Sequence, residues 1–583
     1  MCGIVGSNKD TFNHSDVLDS IKHRGYDNQS FVLKDGAYFG HSRLSIIDLD
    51  DEANQPMVFD DITLVFNGEI YNYKSLINEH NLEVKTSSDS EVLIRLYQKY
   101  GFEFLNMLDG MFSFCIYDEK KNLYFCARDR FGKKPFYYYE EDGSFYFASE
   151  IKAIIKMLKY TPEFNEIALW QYLAFQSPQG ENTFFKGLKK LSASSYLVYQ
   201  DKNIKIDTYH SIDNIPIIHT SEKQIITDVD ALLHEAVEKR LVGDVEVATL
   251  LSGGLDSSLI TALYAQKSNH DVHSFSIGYD EHKHYCELNH ASAASEYIGT
   301  THHEYKISRN KYLDTIDKVL HHTDEPMADS ATIPTYILSE HIHNEGIKVC
   351  LSGEGSDESF LGYDNYFKML NYYNNKPAKE EEFNLTKDWE YNNRRLNNRQ
   401  VYQSSGETFS YRQLQRLSSK KIPYPLHPYS SSYEPTQWLT YIDFKIWISE
   451  VLMSKVDRMS MAHSVELRAP FLDHKLVEYL LAVDTNIKVG NTNKDILKKV
   501  ASPYLPDSII HRQKKGFSSP FIEWLYSGYG KEILNLIQEV NSDIGVFNDN
   551  FIILLYEEGK SGRFKQHLYS VFLFCKWYKK VYM

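Results

Sequence analysis

The chain has 583 residues, 42% hydrophobic and 24% charged, enough to bury several cores, so disorder is excluded as the default reading. Its 63 Lys and Arg against 79 Asp and Glu give a formal net charge of −16, which excludes a general nucleic-acid binder, whose affinity rests on cations facing phosphates. Six cysteines without a CxxC pair exclude a disulfide scaffold and favour a reducing, cytoplasmic setting, and no apolar run is long enough for a bilayer span.

The chain starts MCGIVGSNKD, without the basic start and apolar core of a signal peptide. Removal of Met1 leaves a thiol and an α-amine together on Cys2. Both groups exchange protons near neutral pH, with ordinary pKa values of about 8.5 and about 7.7–8.0, so the amine can serve the thiol as base. Next come Arg24-Gly25-Tyr26-Asp27 and the stretch His41 to Asp48. An arginine for an α-carboxylate and an aspartate for an α-ammonium would grip a free amino acid.

Ile62 to Phe66 reads as a buried strand, and Asn67-Gly68-Glu69-Ile70-Tyr71-Asn72 after it reads as a turn. The Asn amide and the Gly N–H there can hold an oxyanion, although Asn-Gly alone equally fits a plain hairpin turn. Asp89 to Tyr100 reads as a helix, with Val92, Leu93, Leu96 and Tyr97 at helix spacing. Met111 to Tyr117 and Leu123 to Ala127 read as strands apolar on both faces. The pattern predicts stacked antiparallel sheets covered by helices.

Cys2-Gly3-Ile4, RG-x-D at 24–27, RLSI at 43–46, NGEIYN at 67–72 and SDSE at 88–91 together resemble the glutaminase domain of class II glutamine amidotransferases. Those are N-terminal-nucleophile hydrolases with an α+β, αββα sandwich. The resemblance implies Cys2 as nucleophile and Asn67 and Gly68 as oxyanion hole. It implies glutamine contacts at Arg43, Leu44, Ser45, Ile46, Ile47, Asn67, Gly68, Glu69 and Asp89. Tyr26 stands where that family usually has proline, and with Arg24 and Asp27 in place only a changed turn is expected.

Lys202 to Thr220 is polar and contains proline, which puts a boundary near 210 and two domains at 1–209 and 210–583. Beyond it a helix near Asp228 to Lys239, a strand Val245 to Leu251, a helix Ser257 to Gln266, and strands at Val272 to Ile277 and Lys348 to Leu351 predict a parallel α/β sheet. Ser252-Gly253-Gly254-Leu255-Asp256-Ser257-Ser258, between strand and helix, is a Gly-rich anion cradle. No GxxxxGK[ST] occurs, and Asp256 in place of the P-loop lysine suggests a bound metal ion.

A second acidic turn, Leu351 to Glu358, follows another strand, so that Asp256 and Asp357 would share Mg²⁺ and a triphosphate at neighbouring strand ends. Residues 371–435 have weak periodicity and read as a peripheral insertion or a mobile segment, and the helical pattern resumes at Trp438. Lys494 and the stretch Arg512 to Phe517 bring late basic charge suited to phosphoryl oxygens.

SGGLDSS at 252–258, FSIG at 275–278, LSGEGSDE at 351–358, Lys455 to Arg458 through Arg468 to Asp473, Lys494 and RQKKGF resemble the synthetase domain of asparagine and β-lactam synthetases, PP-loop ATP pyrophosphatases. With the glutaminase motifs the likeness spans nearly the whole chain and points to the glutamine-hydrolysing asparagine synthetase family. It implies ATP contacts at Leu250, Ser252, Gly253, Gly254, Asp256, Ser257, Ile277, Ser352 and Gly353. It implies Mg²⁺ at Asp256 and Asp357, and Glu354 and Lys494 assisting formation and breakdown of an acyl-adenylate. Glutamine, ATP and aspartate are the implied substrates, Mg²⁺ the cofactor with no redox group, an internal tunnel the route for ammonia, and a homodimer the assembly. Residues 324–340 also resemble a branch that contains sugar amidotransferases of surface-polysaccharide synthesis, which leaves a uronic acid as the alternative acceptor.

Overall fold

The computed structural model describes residues 2–374, 387–397, 400–401, 406–423, 429–513 and 519–583. Its first 208 residues contain β1 (Gly3–Ser7), β2 (Asn28–Lys34), β3 (Ala37–Arg43), β4 (Met57–Phe59), β5 (Ile62–Ile70) and β6 (Gly110–Asp118). They continue with β7 (Leu123–Arg128), β8 (Tyr137–Glu141), β9 (Ser144–Ala148), β10 (Lys189–Lys190), β11 (Ser195–Gln200) and β12 (Asn203–Thr208). These strands form two six-stranded sheets, ordered β10-β8-β9-β1-β3-β2 and β12-β11-β7-β6-β5-β4. The pairings within each sheet are antiparallel, as the sequence predicts.

The sheets meet over Ile4, Phe39 and Phe147 from one and Val65, Cys115, Tyr124 and Leu197 from the other, all essentially excluded from water. Strands with both faces apolar can satisfy themselves only when each sheet's other face is also covered. Helix α1 (Asp89–Tyr100) covers β5 with Val92, Leu93 and Leu96, and Ser88 caps it by accepting from Ser90 N. Helix α2 (Ile151–Leu158) covers β9 on the opposite side with Ile151 and Ile154. The result is the αββα sandwich. Each fully buried aliphatic or phenyl side chain in it stabilises by about 1.5–3 kcal/mol.

Past α3 (Glu166–Phe175) and α4 (Glu222–Lys239), a five-stranded sheet comprises β13 (Val247–Leu250), β14 (His273–Tyr279), β15 (Thr301–Ile307), β16 (Val349–Leu351) and β17 (Glu466–Arg468). All pairs are parallel and the order is β15-β14-β13-β16-β17. The chain leaves β13 for β14 on one side and later returns to β16 on the other. The order therefore reverses between β13 and β16, which is where open parallel sheets form a ligand crevice. Helix α5 (Leu255–Lys267) springs directly from the Gly-rich turn after β13.

The reading of 371–435 as peripheral is corrected where it is described. Helices α6 (Lys387–Leu396) and α7 (Tyr411–Leu417) bring Tyr391, Leu414 and Leu417 to 0% exposure, and Phe409 is 1% exposed. Thr408 N and Phe409 N donate to the carbonyls of Ala174 and Leu173 in α3, tying the segment to the sandwich. Its apolar anchors are spaced across short helices and loops among Asn and Ser, so no single period reveals them. Residues 375–386, 398–399, 402–405 and 424–428 of that segment lie outside the described residues.

Helix α8 (Met453–Met461) follows a π-helical stretch, Phe444–Leu452, and carries Asp457 and Arg458 against the sandwich. Arg24 donates to Glu150 and Asp457, at 3.0 and 3.1 Å, and Arg458 donates to Asp324 at 3.0 Å. All five side chains are buried. Among the described residues, no helix is long and apolar enough to cross a membrane.

Candidate functional site

Cys2 precedes β1 and is buried at 7% exposure. Its backbone N–H donates to Asn67 Oδ1 at 3.0 Å, and its carbonyl accepts from Arg24 Nε at 3.0 Å. Burial pushes the thiol's pKa up, opposed by the chain's α-amine, the backbone at Leu44 and the charge of Arg43. Since Asn67 Oδ1 is turned to Cys2, its Nδ2 is the free end of the amide. That nitrogen is buried and has no hydrogen-bond partner among the described residues. A buried unmade donor costs about 1–3 kcal/mol, so it marks where an acceptor belongs.

The expected turn at Asn67-Gly68 is corrected: both residues lie inside β5, opposite Ser113 and Phe112 of β6. Pairing along nine residues outweighs the turn preference of the dipeptide, and the strand fixes the donor more firmly than a loop. Gly68 cannot be exchanged, because a Cβ there would lie 2.1 Å from the Met111 carbonyl oxygen.

Arg43, expected among the glutamine contacts, also holds its own loop, and its charge acts on the Cys2 thiol. It donates to the Asp50 carbonyl at 3.0 Å, to Asn54 Oδ1 at 2.8 Å and to the Asp48 carbonyl. The physical reason is local: the turn after β3 aims three oxygens at the arginine that begins it. Leu44, Ile46 and Ile47 are buried, Ser45 N donates to Asp27 Oδ2 at 2.7 Å, and Ile46 accepts from Asp244 N at 2.8 Å. Tyr26, in place of the usual proline, is exposed and leaves Asp27 in its hydrogen bond to Ser45.

Glu69 and Asp89 lie close enough to repel each other, with Asp89 Oδ2 accepting from Ile70 N at 2.9 Å. Burial drives the pKa of Asp89 up to about 7, against the Ile70 hydrogen bond and with help from Glu466. Burial and Glu466 likewise raise Glu69 well above the carboxylate range, against the pull of Arg468. Glu466 and Arg468, on β17, and Asp457, on α8, were not singled out individually by the sequence. They lie in or beside stretches that carry the resemblance, but nothing local says that they face the other half of the chain.

At the crevice, Ser252 N donates to Ser257 Oγ at 3.1 Å and Gly254 N to Ser252 Oγ at 3.3 Å, so the loop's hydroxyls order its own backbone. Gly253 has φ +70°, and a Cβ there would sit 2.3 Å from the His290 backbone. Leu250 ends β13 and Ile277 lies in β14. The second loop meets the first: Gly353 would place a Cβ 3.1 Å from Asp256 Cβ, and Ser356 Oγ donates to Asp256 Oδ1 at 2.8 Å. Ser352 N donates to the Arg468 carbonyl at 2.8 Å.

Lys494, preceding α9 (Asp495–Ala501), reaches both Asp256 oxygens and Asp357 Oδ1 at 2.6 Å. Burial works against its charge, but the two carboxylates outweigh it and raise its pKa. Two carboxylates converging on one ammonium form a hard-oxygen donor set of the kind that suits Mg²⁺. Burial raises the pKa of Glu354, opposed by the charge of Lys455, which pairs with Asp329 at 2.9 Å. Of the late basic stretch, Arg512 donates to the Gly253 carbonyl at 3.0 Å, whereas Lys514, Lys515, Gly516 and Phe517 lie outside the described residues.

Residues 228–579 match the family model described as asparagine synthase, and residues 1–210 match that of a glutamine amidotransferase domain. Asparagine synthetase (glutamine-hydrolyzing) 1 of Bacillus subtilis is 30% identical over 99% of this chain and 96% of its own. Asparagine synthetase (glutamine-hydrolyzing) 3 of the same organism is 31% identical over 93% and 90%. Asparagine synthetase B (glutamine-hydrolyzing) of Escherichia coli is 31% identical over 89% and 80%.

Proposed function

The chain belongs to the asparagine synthase family of glutamine-hydrolysing amidotransferases, and on that premise we propose that it makes asparagine from aspartate, ATP and glutamine. The observation that carries this reading is the pairing of two sites in one chain: Cys2 beside the unpartnered Asn67 Nδ2, and Asp256 and Asp357 sharing Lys494 at the switch point of a parallel sheet.

At the first site the Cys2 thiolate adds to the carboxamide carbon of glutamine. Asn67 Nδ2 and the Gly68 N–H would receive the oxygen as it turns negative. As the α-amine passes the thiol's proton to the leaving nitrogen, collapse expels ammonia and leaves a thioester at Cys2, which water hydrolyses to glutamate. Replacing Asn67 by alanine should lower glutaminase kcat by roughly 10²–10³, the usual effect of losing one oxyanion donor. It should leave ammonia-dependent synthesis intact. Unchanged glutaminase kcat would remove Asn67 from the oxyanion role.

At the second site the aspartate side-chain carboxylate attacks the α-phosphorus of ATP, and pyrophosphate leaves. The Ser252–Ser257 loop cradles the phosphates, and Lys494 neutralises charge as the phosphoryl group transfers. Asp256 and Asp357 would hold Mg²⁺, which supplies positive charge to the pyrophosphate oxygens when bound. Glu354 stands close to Lys455, positioned to take a proton as ammonia attacks the acyl-adenylate carbon and AMP departs. The products are asparagine, AMP and pyrophosphate.

The test is pyrophosphate release from MgATP and glutamine with and without aspartate, with asparagine measured in the same tube. Aspartate-dependent pyrophosphate with matching asparagine is the expected result. Glutaminase activity with no response to aspartate would overturn the acceptor while keeping the two-site chemistry.

A further inference from the structure

Strand β17 is the edge of the parallel sheet, yet its side chains complete the floor of the N-terminal site. Arg468 is fully buried, and its Nη2 lies 3.7 Å from Glu69 Oε2. Its Nε pairs with Glu466, and its Nη1 donates to the carbonyls of Arg240 and Val242 at 2.8 and 2.6 Å. Glu69 Oε2 and Arg468 Nη2 are both buried without a hydrogen-bond partner among the described residues, although they face each other. Three buried carboxylates, Glu69, Asp89 and Glu466, therefore gather around the Arg468 guanidinium, with the charge of Lys134 acting on Glu466 as well.

We propose that Glu466 and Arg468 are positioning residues for glutamine: the edge strand of the second domain's sheet sets the charge of the Glu69–Asp89 pair, and with it the affinity for the amino acid's α-ammonium. This rests on the reading of Glu69 and Asp89 as glutamine contacts. The ammonium would take the place that a proton holds in the free protein, so glutamine binding and ionisation of Asp89 go together.

The groups whose charges act on Asp89 and its partners are Glu69 from β5, Glu466 and Arg468 from β17, Tyr73, Lys134 through Glu466, and the chain's α-amine. Asp48 and Asp244 lie beyond Tyr73. With its pKa raised to about 7 by burial, Asp89 takes up a proton as pH falls below that point, so KM for glutamine should rise there. Removing the Glu466 charge lets Asp89 ionise at lower pH. Removing the Arg468 charge makes it ionise at higher pH.

The experiment is KM for glutamine against pH in the full-length protein, measured by glutamate release, for Glu466→Gln, Arg468→Met, Arg468→Lys and Leu467→Ile. The acid limb should move down by roughly one pH unit in Glu466→Gln and up by a similar amount in Arg468→Met. Arg468→Lys and Leu467→Ile should keep the native limb, and kcat should hold throughout. A strand that served only as structural support would raise KM at every pH without moving the limb. If Arg468→Met does not fold, Glu466→Gln against the wild type carries the test. Unmoved limbs, or shifts in the same direction, would overturn the proposal. Asp89→Asn separates the premises: if it left KM for glutamine unchanged, the glutamine contact itself would be misassigned.

Discussion

Replacing Cys2 by alanine should lower glutamine-dependent asparagine formation by roughly 10³-fold or more, since the residual rate lacks a nucleophile. Ammonia-dependent formation should persist. The variant is a clean one, because residue 2 is held through its backbone. Asn67 Oδ1 takes its N–H and Arg24 gives to its carbonyl, so neither contact involves the sulfur. Product formation with glutamine and with ammonium chloride, assayed side by side, decides the matter. Equal loss of both would sink the two-site scheme.

Asp256→Asn should abolish the other half. The amide keeps the shape and still accepts from Ser356, but it removes the charge that Lys494 shares and that would hold a divalent cation. Pyrophosphate release should fall by roughly 10²–10³, equivalent to losing about 2.7–4 kcal/mol of transition-state stabilisation. Glutamate release from glutamine should continue, because Cys2 and its partners are untouched. Pyrophosphate release at the native rate would mean that the loop after β13 does not handle the triphosphate.

What the sequence makes legible is what short stretches determine. Runs such as Met111 to Tyr117 give strands because no neighbouring choice competes. The loop Ser252 to Ser258 declares itself because only glycine tolerates the approach of Gly253 to the His290 backbone. Asn67-Gly68 misleads, since a turn preference of a dipeptide is weaker than pairing with β6, which no local pattern encodes. The local bonds of Arg43 are not legible either: the carbonyls it binds belong to a loop whose path the sequence leaves open. The contacts across the halves are the least legible. Arg24 and Asp457 are 433 positions apart, and Glu69 meets Arg468 from a separate sheet. Such pairs depend on how two domains dock, and docking is decided by whole surfaces.

The hydrogen bonds from Arg24 to Cys2, Glu150 and Asp457 have a consequence for nitrogen economy. The arginine that steadies the nucleophile is itself steadied from the second half of the chain. Were the halves to part, Arg24 would keep its bonds to Cys2 and Glu150 but lose its anchor on Asp457. On the proposed reading, the nucleophile would then be held less firmly at the moment when no receiving site stood beside it. On that reading the same buried arginine links the glutamine site to the docking of the two halves.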